Sequence, residues 1–109
     1  MLSDTIEIIR GDSKYFTVVK QDEDGVQVNF EVGDSVTFSM KKNLKATDAV
    51  ITKTSSTITD GKIVIYLDPT DTEVPLYDNY YYDFQYEDAN GDIYTLARGT
   101  AQVVWEVTN

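Results

Sequence analysis

The stretch "YYYDFQYEDANG", Tyr80 to Gly91, decides the architecture. Successive side chains of an extended strand point to opposite faces. Tyr80, Tyr82, Phe84 and Tyr86 therefore share one face, and Tyr81, Asp83, Gln85 and Glu87 the other. An aromatic row backed by a polar row predicts a strand with one side on a core. Asn90-Gly91 closes the stretch with the strongest hairpin signal in the chain, because a tight turn between twisted strands needs residues that tolerate positive φ.

Working outward, the same period of two recurs, and no long segment keeps a helical period. Ile6 and Ile8 share a face of a first strand, and Phe16 and Val18 a face of a second. "DEDG" at 22–25 reads as a hairpin turn leading into a short strand with Val26, Val28 and Phe30 inward. After Gly33-Asp34, "SVTFSMKK" puts Val36, Phe38 and Met40 inward, with Thr37, Ser39 and Lys41 outward. Asn43 to Asp48 reads as a loop, and "AVITKT" at 49–54 as an edge strand, being short, Thr-rich and carrying Lys53. Asp60-Gly61 introduces "KIVIYL" with Ile63, Ile65 and Leu67 buried, and "DPTDTEVPLYDN" is a long connection.

Beyond Asn90-Gly91 the phase changes. Tyr94 and Leu96 place even positions inward, whereas Val103, Trp105 and Val107 place odd positions inward. One extra residue reverses the side-chain phase, so a β-bulge or kink is expected near Gly99. Seven or eight short strands at intervals of about ten residues predict a two-sheet antiparallel β-sandwich, with a closed barrel as the alternative. The expected core holds Phe16, Val18, Phe38, Ile63, Ile65, Tyr82, Phe84 and Trp105. The 109 residues suit a single domain, 1–109, able to bury one core without staples.

Composition narrows the chemistry. With no cysteine and no histidine, disulfides, thiolate catalysis, Cys-ligated zinc and the commonest general base are all excluded. Nineteen acidic against nine basic residues give a net charge of −10, which repels phosphate backbones and anionic lipid, so neither nucleic acid nor a membrane is an expected partner. The charge reads as solubility and colloidal repulsion, with a calcium ion or a basic partner as the alternative. The apolar runs are too short to span a bilayer. "MLSDTIEII" has neither a basic n-region nor a long apolar stretch, so it does not read as a signal peptide.

Three features invite a functional reading. Arg10-Gly11-Asp12-Ser13 spells an integrin-binding motif, but adhesion sites sit on long exposed loops, and here two strands flank the motif closely. Gly11 and Asp12 are what a tight turn demands, and the turn reading is preferred. "QDEDG" at 21–25 and "EDANGD" at 87–92 cluster carboxylates, yet neither has the spaced ligands and terminal bidentate Glu of a calcium loop. Both read as hairpin turns, and no metal or cofactor is expected. The outward tyrosines Tyr66, Tyr77 and Tyr81 are candidate surface contacts, since aromatic faces stack on sugar rings. No catalytic constellation appears, and the expectation is a protein that is not an enzyme.

The order of these elements resembles a known family. "IIRGDSKYFTVVKQDEDGVQVNF…DSVTFSMKK" is similar to the opening of the immunoglobulin-like domain at the N-terminus of phage baseplate upper proteins, with related domains in small structural proteins of prophages of Gram-positive bacteria. "ATDAVITKT", "GKIVIYLDPTDTEVP" and "YYYDFQYEDANGDIYTLARGTAQV" look like the remainder of that pattern, so the likeness covers Ile6 to Val107. Asn79 stands where the family has a glycine. The helical and receptor-proximal regions that follow the domain in baseplate upper proteins have no counterpart in these 109 residues.

The resemblance implies an immunoglobulin-like fold and a non-enzymatic structural or docking role in a tailed-phage or prophage virion, at the tail or baseplate. It implies a protein made in the bacterial cytoplasm and built into the particle. Other virion proteins would be its partners, several copies would be arranged symmetrically about the tail axis, and integrin would play no part. A carbohydrate- or cell-wall-binding module that assists host attachment is the alternative.

Overall fold

The computed structural model describes residues 3–45 and 47–105. Ten strands form, with no helix among the described residues: β1 (Ser3–Ile9), β2 (Lys14–Val18), β3 (Lys20–Gln21), β4 (Gln27–Val28), β5 (Ser35–Lys41), β6 (Ile51–Ser55), β7 (Ile58–Thr59), β8 (Lys62–Leu67), β9 (Tyr77–Glu87) and β10 (Ile93–Val104). The count exceeds the expected seven or eight because β3 and β7 are two-residue pairings too short to leave a periodic signal, while β4 is the expected short third strand reduced to two residues.

The strands make a five-stranded sheet in the order β1-β10-β9-β5-β6, a three-stranded sheet β2-β8-β7, and the separate β3-β4 hairpin. The expected edge strand is β6, at one end of the larger sheet. One pairing breaks the antiparallel expectation: β1 runs parallel to β10, from Ser3 opposite Arg98 to Ile9 opposite Val104. Alternation says which way side chains point and nothing about which way a neighbouring strand runs, so sequence periodicity could not have revealed this.

The alternating rows pack as their residue types require. Val36, Phe38 and Met40 from β5 and Ile63, Ile65 and Leu67 from β8 are fully buried, each withdrawal from water being worth roughly 1.5–3 kcal/mol. Phe16 of β2 stacks on Phe38 of β5 with ring centroids 5.0 Å apart and meets Phe84 of β9 edge-on at 5.1 Å. The two sheets thus share one aromatic core. Tyr80 is buried, and its hydroxyl is satisfied by donating to the Pro75 carbonyl at 2.7 Å, which ties β9 to the connection that precedes it.

The phase change in β10 occurs, but at Leu96, three residues before the expected Gly99. Register slips between Thr95 and Ala97, leaving Leu96 as the extra residue, while Gly99 itself pairs regularly with Tyr82. A second irregularity falls between Ala101 and Val103.

Four inward assignments need correction. Trp105 is 66% exposed, because it lies past the last rungs, Val103 with Tyr77 and Val104 with Ile9, so nothing holds it over the core. Phe16 is only partly buried, since β2 ends its sheet and leaves one flank of the ring uncovered. Val26 is exposed because the β3-β4 hairpin stands apart as its own sheet. Tyr94 is 52% exposed and stacks on Tyr86 beside the hairpin end. Val107 lies outside the described residues.

Candidate interaction surface

The Arg-Gly-Asp turn is stitched to the Asp68–Leu76 connection. Gly11 has φ of +85°, and Asp12 N–H closes the turn on the Ile9 carbonyl at 3.1 Å. The Thr72 hydroxyl, fully buried, accepts from Gly11 N–H at 3.0 Å and donates to the Asp12 carbonyl at 2.8 Å. Arg10 Nε donates to the Val74 carbonyl at 3.1 Å, and the guanidinium lies 5.8 Å from the centre of the Trp105 ring. Arg10 and Gly11 are thereby spent on internal contacts rather than held out on a loop tip.

The two acidic clusters fold into the same turn twice. In each, an Asp accepts from the N–H groups two and four residues later: Asp22 from Asp24 and Val26, and Asp88 from Asn90 and Asp92, at 2.9 and 3.0 Å in both cases. In each, the glycine three residues on has positive φ, +80° at Gly25 and +87° at Gly91, and donates its N–H back to the Asp carbonyl at 3.0 Å. The Asp-x-x-Gly spacing therefore commits one carboxylate oxygen to the turn's own amides. Among the described residues no group of three or more acidic side chains is arranged to hold a metal ion.

Topology places these turns together. The Asp22, Glu31–Asp34, Asp60 and Asp88 turns all cap one end of the molecule, bringing Asp22, Glu23, Asp24, Glu31, Asp34, Asp60, Glu87, Asp88 and Asp92 to that end against Lys20 and Lys62. Most of the net negative charge sits there.

Lys20 is the cation inside it. Its ammonium lies 3.5 Å from Asp34 Oδ2 and 3.4 Å from the Tyr86 hydroxyl, and over the rings of Phe30 and Tyr86 at 5.2 and 4.9 Å. Tyr86 in turn donates to Asp34 Oδ1 at 3.3 Å. Burial pushes the Lys20 ammonium down, but its bonds to Tyr86 and Asp34 outweigh that and hold it above its ordinary value. Burial holds the Tyr86 hydroxyl up, against the opposing pull of Lys20.

The three candidate tyrosines do not share a surface. Tyr66 lies on the outer side of the smaller sheet and Tyr81 on the outer side of the larger one, beside Thr100 and Lys41. Tyr77 is partly buried against Tyr80 and capped by the Lys42 ammonium at 4.9 Å. Sequence reasoning missed Tyr15, which sits directly opposite Tyr66 across β2 and β8 with ring centroids 4.6 Å apart and is 65% exposed. The signal was present: Tyr15 precedes the inward Phe16 and so must face out. The Ser13 hydroxyl, 3.3 Å from that of Tyr66, extends this exposed aromatic pair with a polar edge.

A cleft of about 930 Å³ runs along the outer edge of β2. Phe16, Thr17 and Val18 form one wall, and Phe84, Leu96 and Ala97, at the β10 bulge, form the other. The β10 register irregularity at Leu96 lies in this second wall. No known family's sequence model matches the chain, and no curated protein sequence matches it either.

Proposed function

We propose that this chain is an immunoglobulin-like sandwich that serves as a non-enzymatic docking module of a tailed-phage or prophage virion, at the tail or baseplate. The observation that carries the functional half is the ordered resemblance from Ile6 to Val107 to the baseplate upper protein domain. Strand order supports the fold half. The order β2-β8-β7 matches B-E-D of an immunoglobulin sandwich, and β10-β9-β5-β6 matches the G-F-C-C′ sheet of a variable-type domain, with β1 added beside β10. Tyr80, bonded to Pro75 just upstream of its own strand, stands where such domains carry their tyrosine corner.

On this reading the chain acts through its surface, and copies arranged around the tail axis strengthen individually modest contacts by avidity. Mass spectrometry of purified, induced prophage particles tests it: the protein co-purifies with intact virions. Abundance in the lysate with absence from particles would defeat the assignment.

The Tyr15–Tyr66 pair favours a second reading, a carbohydrate- or cell-wall-binding module that assists attachment. An exposed aromatic pair beside a hydroxyl is a fitting platform for a sugar ring. A cell-wall pull-down separates the two readings, with binding abolished by Tyr15→Ala and unchanged by Tyr81→Ala supporting the second.

A further inference from the structure

The outer edge of β2 differs from the other sheet edges. Lys14 to Val18 pair with β8 on one side and with no strand on the other, so alternate backbone N–H and C=O groups face outward. Soluble β-proteins blunt such an edge with proline, a bulge, an inward-pointing charge or a covering loop. The β6 edge carries Lys53, paired to Asp71 at 3.0 Å, the β7 edge is two residues long, and the β1 edge, paired only with β10, carries the acidic Asp4 and Glu7. β2 has no proline and no bulge, its lysine stands at its start, and Tyr15 and the following Val19 expose apolar surface on it.

Beside this open edge lies the cleft, whose walls include Phe16 and Phe84 from the shared core. Phe16 is partly buried and lines this cleft. We propose that the β2 edge receives an extended segment of a partner protein, which adds a strand to the β2-β8-β7 sheet and sends alternate apolar side chains into the cleft against Phe16 and Leu96.

Charge identifies the occupant further. β2 runs from Lys14 towards the acidic end, and Asp22 of the first Asp-x-x-Gly turn lines the cleft there. A strand laid along β2 therefore passes beside a concentration of carboxylates, and a segment flanked by Lys or Arg gains attraction where an acidic one is repelled. The same charge disfavours a second copy of this chain as the occupant, since it carries −10 itself. The inference rests on the docking reading and names its site and its partner's chemistry: an extended segment of alternating apolar residues with basic flanks.

A labelled synthetic peptide of about ten residues, alternating valine and threonine between lysine pairs, tests this as a strand mimic. Titrated with the full chain, it is expected to bind saturably and to protect the amides of β2, leaving those of β1, β6 and β7 unchanged. Replacing its lysines with glutamates should weaken binding at least tenfold. N-methylating alternate peptide nitrogens on one edge should abolish it, a control that leaves the protein untouched. Thr17→Pro, checked for a retained fold, should do the same from the other side.

Equal binding by the N-methylated or glutamate peptide overturns the proposal, as does protection at another edge. Dimerisation that protects β2 without peptide also overturns it, making a second copy the occupant. Peptide binding by a protein absent from virions would leave a docking module of some other assembly. Presence in virions with no peptide binding would leave docking through a different surface.

Discussion

Two kinds of turn connect these strands, and they are held in different ways. The Asp22–Val26 and Asp88–Asp92 turns are self-contained: each side chain bonds amides no more than four residues away. The Arg10–Ser13 turn depends on Thr72 and Val74, some sixty residues along the chain. A local turn carries its reason in its own few letters. A turn held from a distance uses the same letters for a purpose that only the fold reveals, which is how Arg-Gly-Asp can spell an adhesion motif while serving as a structural corner.

The largest effect should come from Thr72→Val, which keeps the shape but strips the hydroxyl from a fully buried site. Gly11 N–H and the Asp12 carbonyl both lose their partner, at an expected cost of about 2–4 kcal/mol by chemical denaturation. A loss below 1 kcal/mol would mean that water replaces the hydroxyl and that the turn is more local than described. Next comes Gly11→Val. No atom crowds the position, so the cost is the backbone strain of a β-branched residue at φ +85°, about 2 kcal/mol. An unchanged midpoint would show the turn relaxing to another conformation.

Smaller effects are expected at the self-contained turns. Asp22→Ala and Asp88→Ala each remove two side-chain bonds to exposed amides, which water can then satisfy, so about 1 kcal/mol apiece is expected. A loss at either that matched Thr72→Val would erase the contrast between the two kinds of turn.

The gentlest probe is alkaline pH. Lys20 and Tyr86 both hold their protons more tightly in the folded state than their ordinary values of 10.5 and 10.0. Their contribution is therefore complete below about pH 10 and is lost as pH rises through those values to the folded-state ones. Tyr86→Phe, which removes the hydroxyl and one of the partners that raise Lys20, should flatten that alkaline fall in a denaturation series. An equally steep fall in the variant would shift the cause elsewhere.

The same contrast explains what was legible in the letters. The inward rows of β5, β8 and β9 could be read because alternation is a local property and a buried row must be apolar. Strand direction was not legible, since β1 beside β10 is a matter of how the chain returns. Trp105 misled because alternation fixes a direction but cannot say whether anything lies overhead. Of the candidate surface residues, Tyr66 and Tyr81 face out as expected, while Tyr77 is claimed by Tyr80 and Lys42. The cleft could not be foreseen at all. It needs the end of one sheet and the bulge of another to meet, and only the irregularity near Leu96 left a mark in the sequence.

The parallel pairing of β1 with β10 has a mechanical consequence. Pulling residue 3 and residue 104 apart draws two neighbouring parallel strands past one another lengthwise. The rungs from Ser3–Arg98 to Ile9–Val104 then bear load together instead of opening one by one from an end. An antiparallel hairpin pulled at its open ends has no such protection and unzips. A domain strung between other components by these two points would resist stretching at its outermost strand.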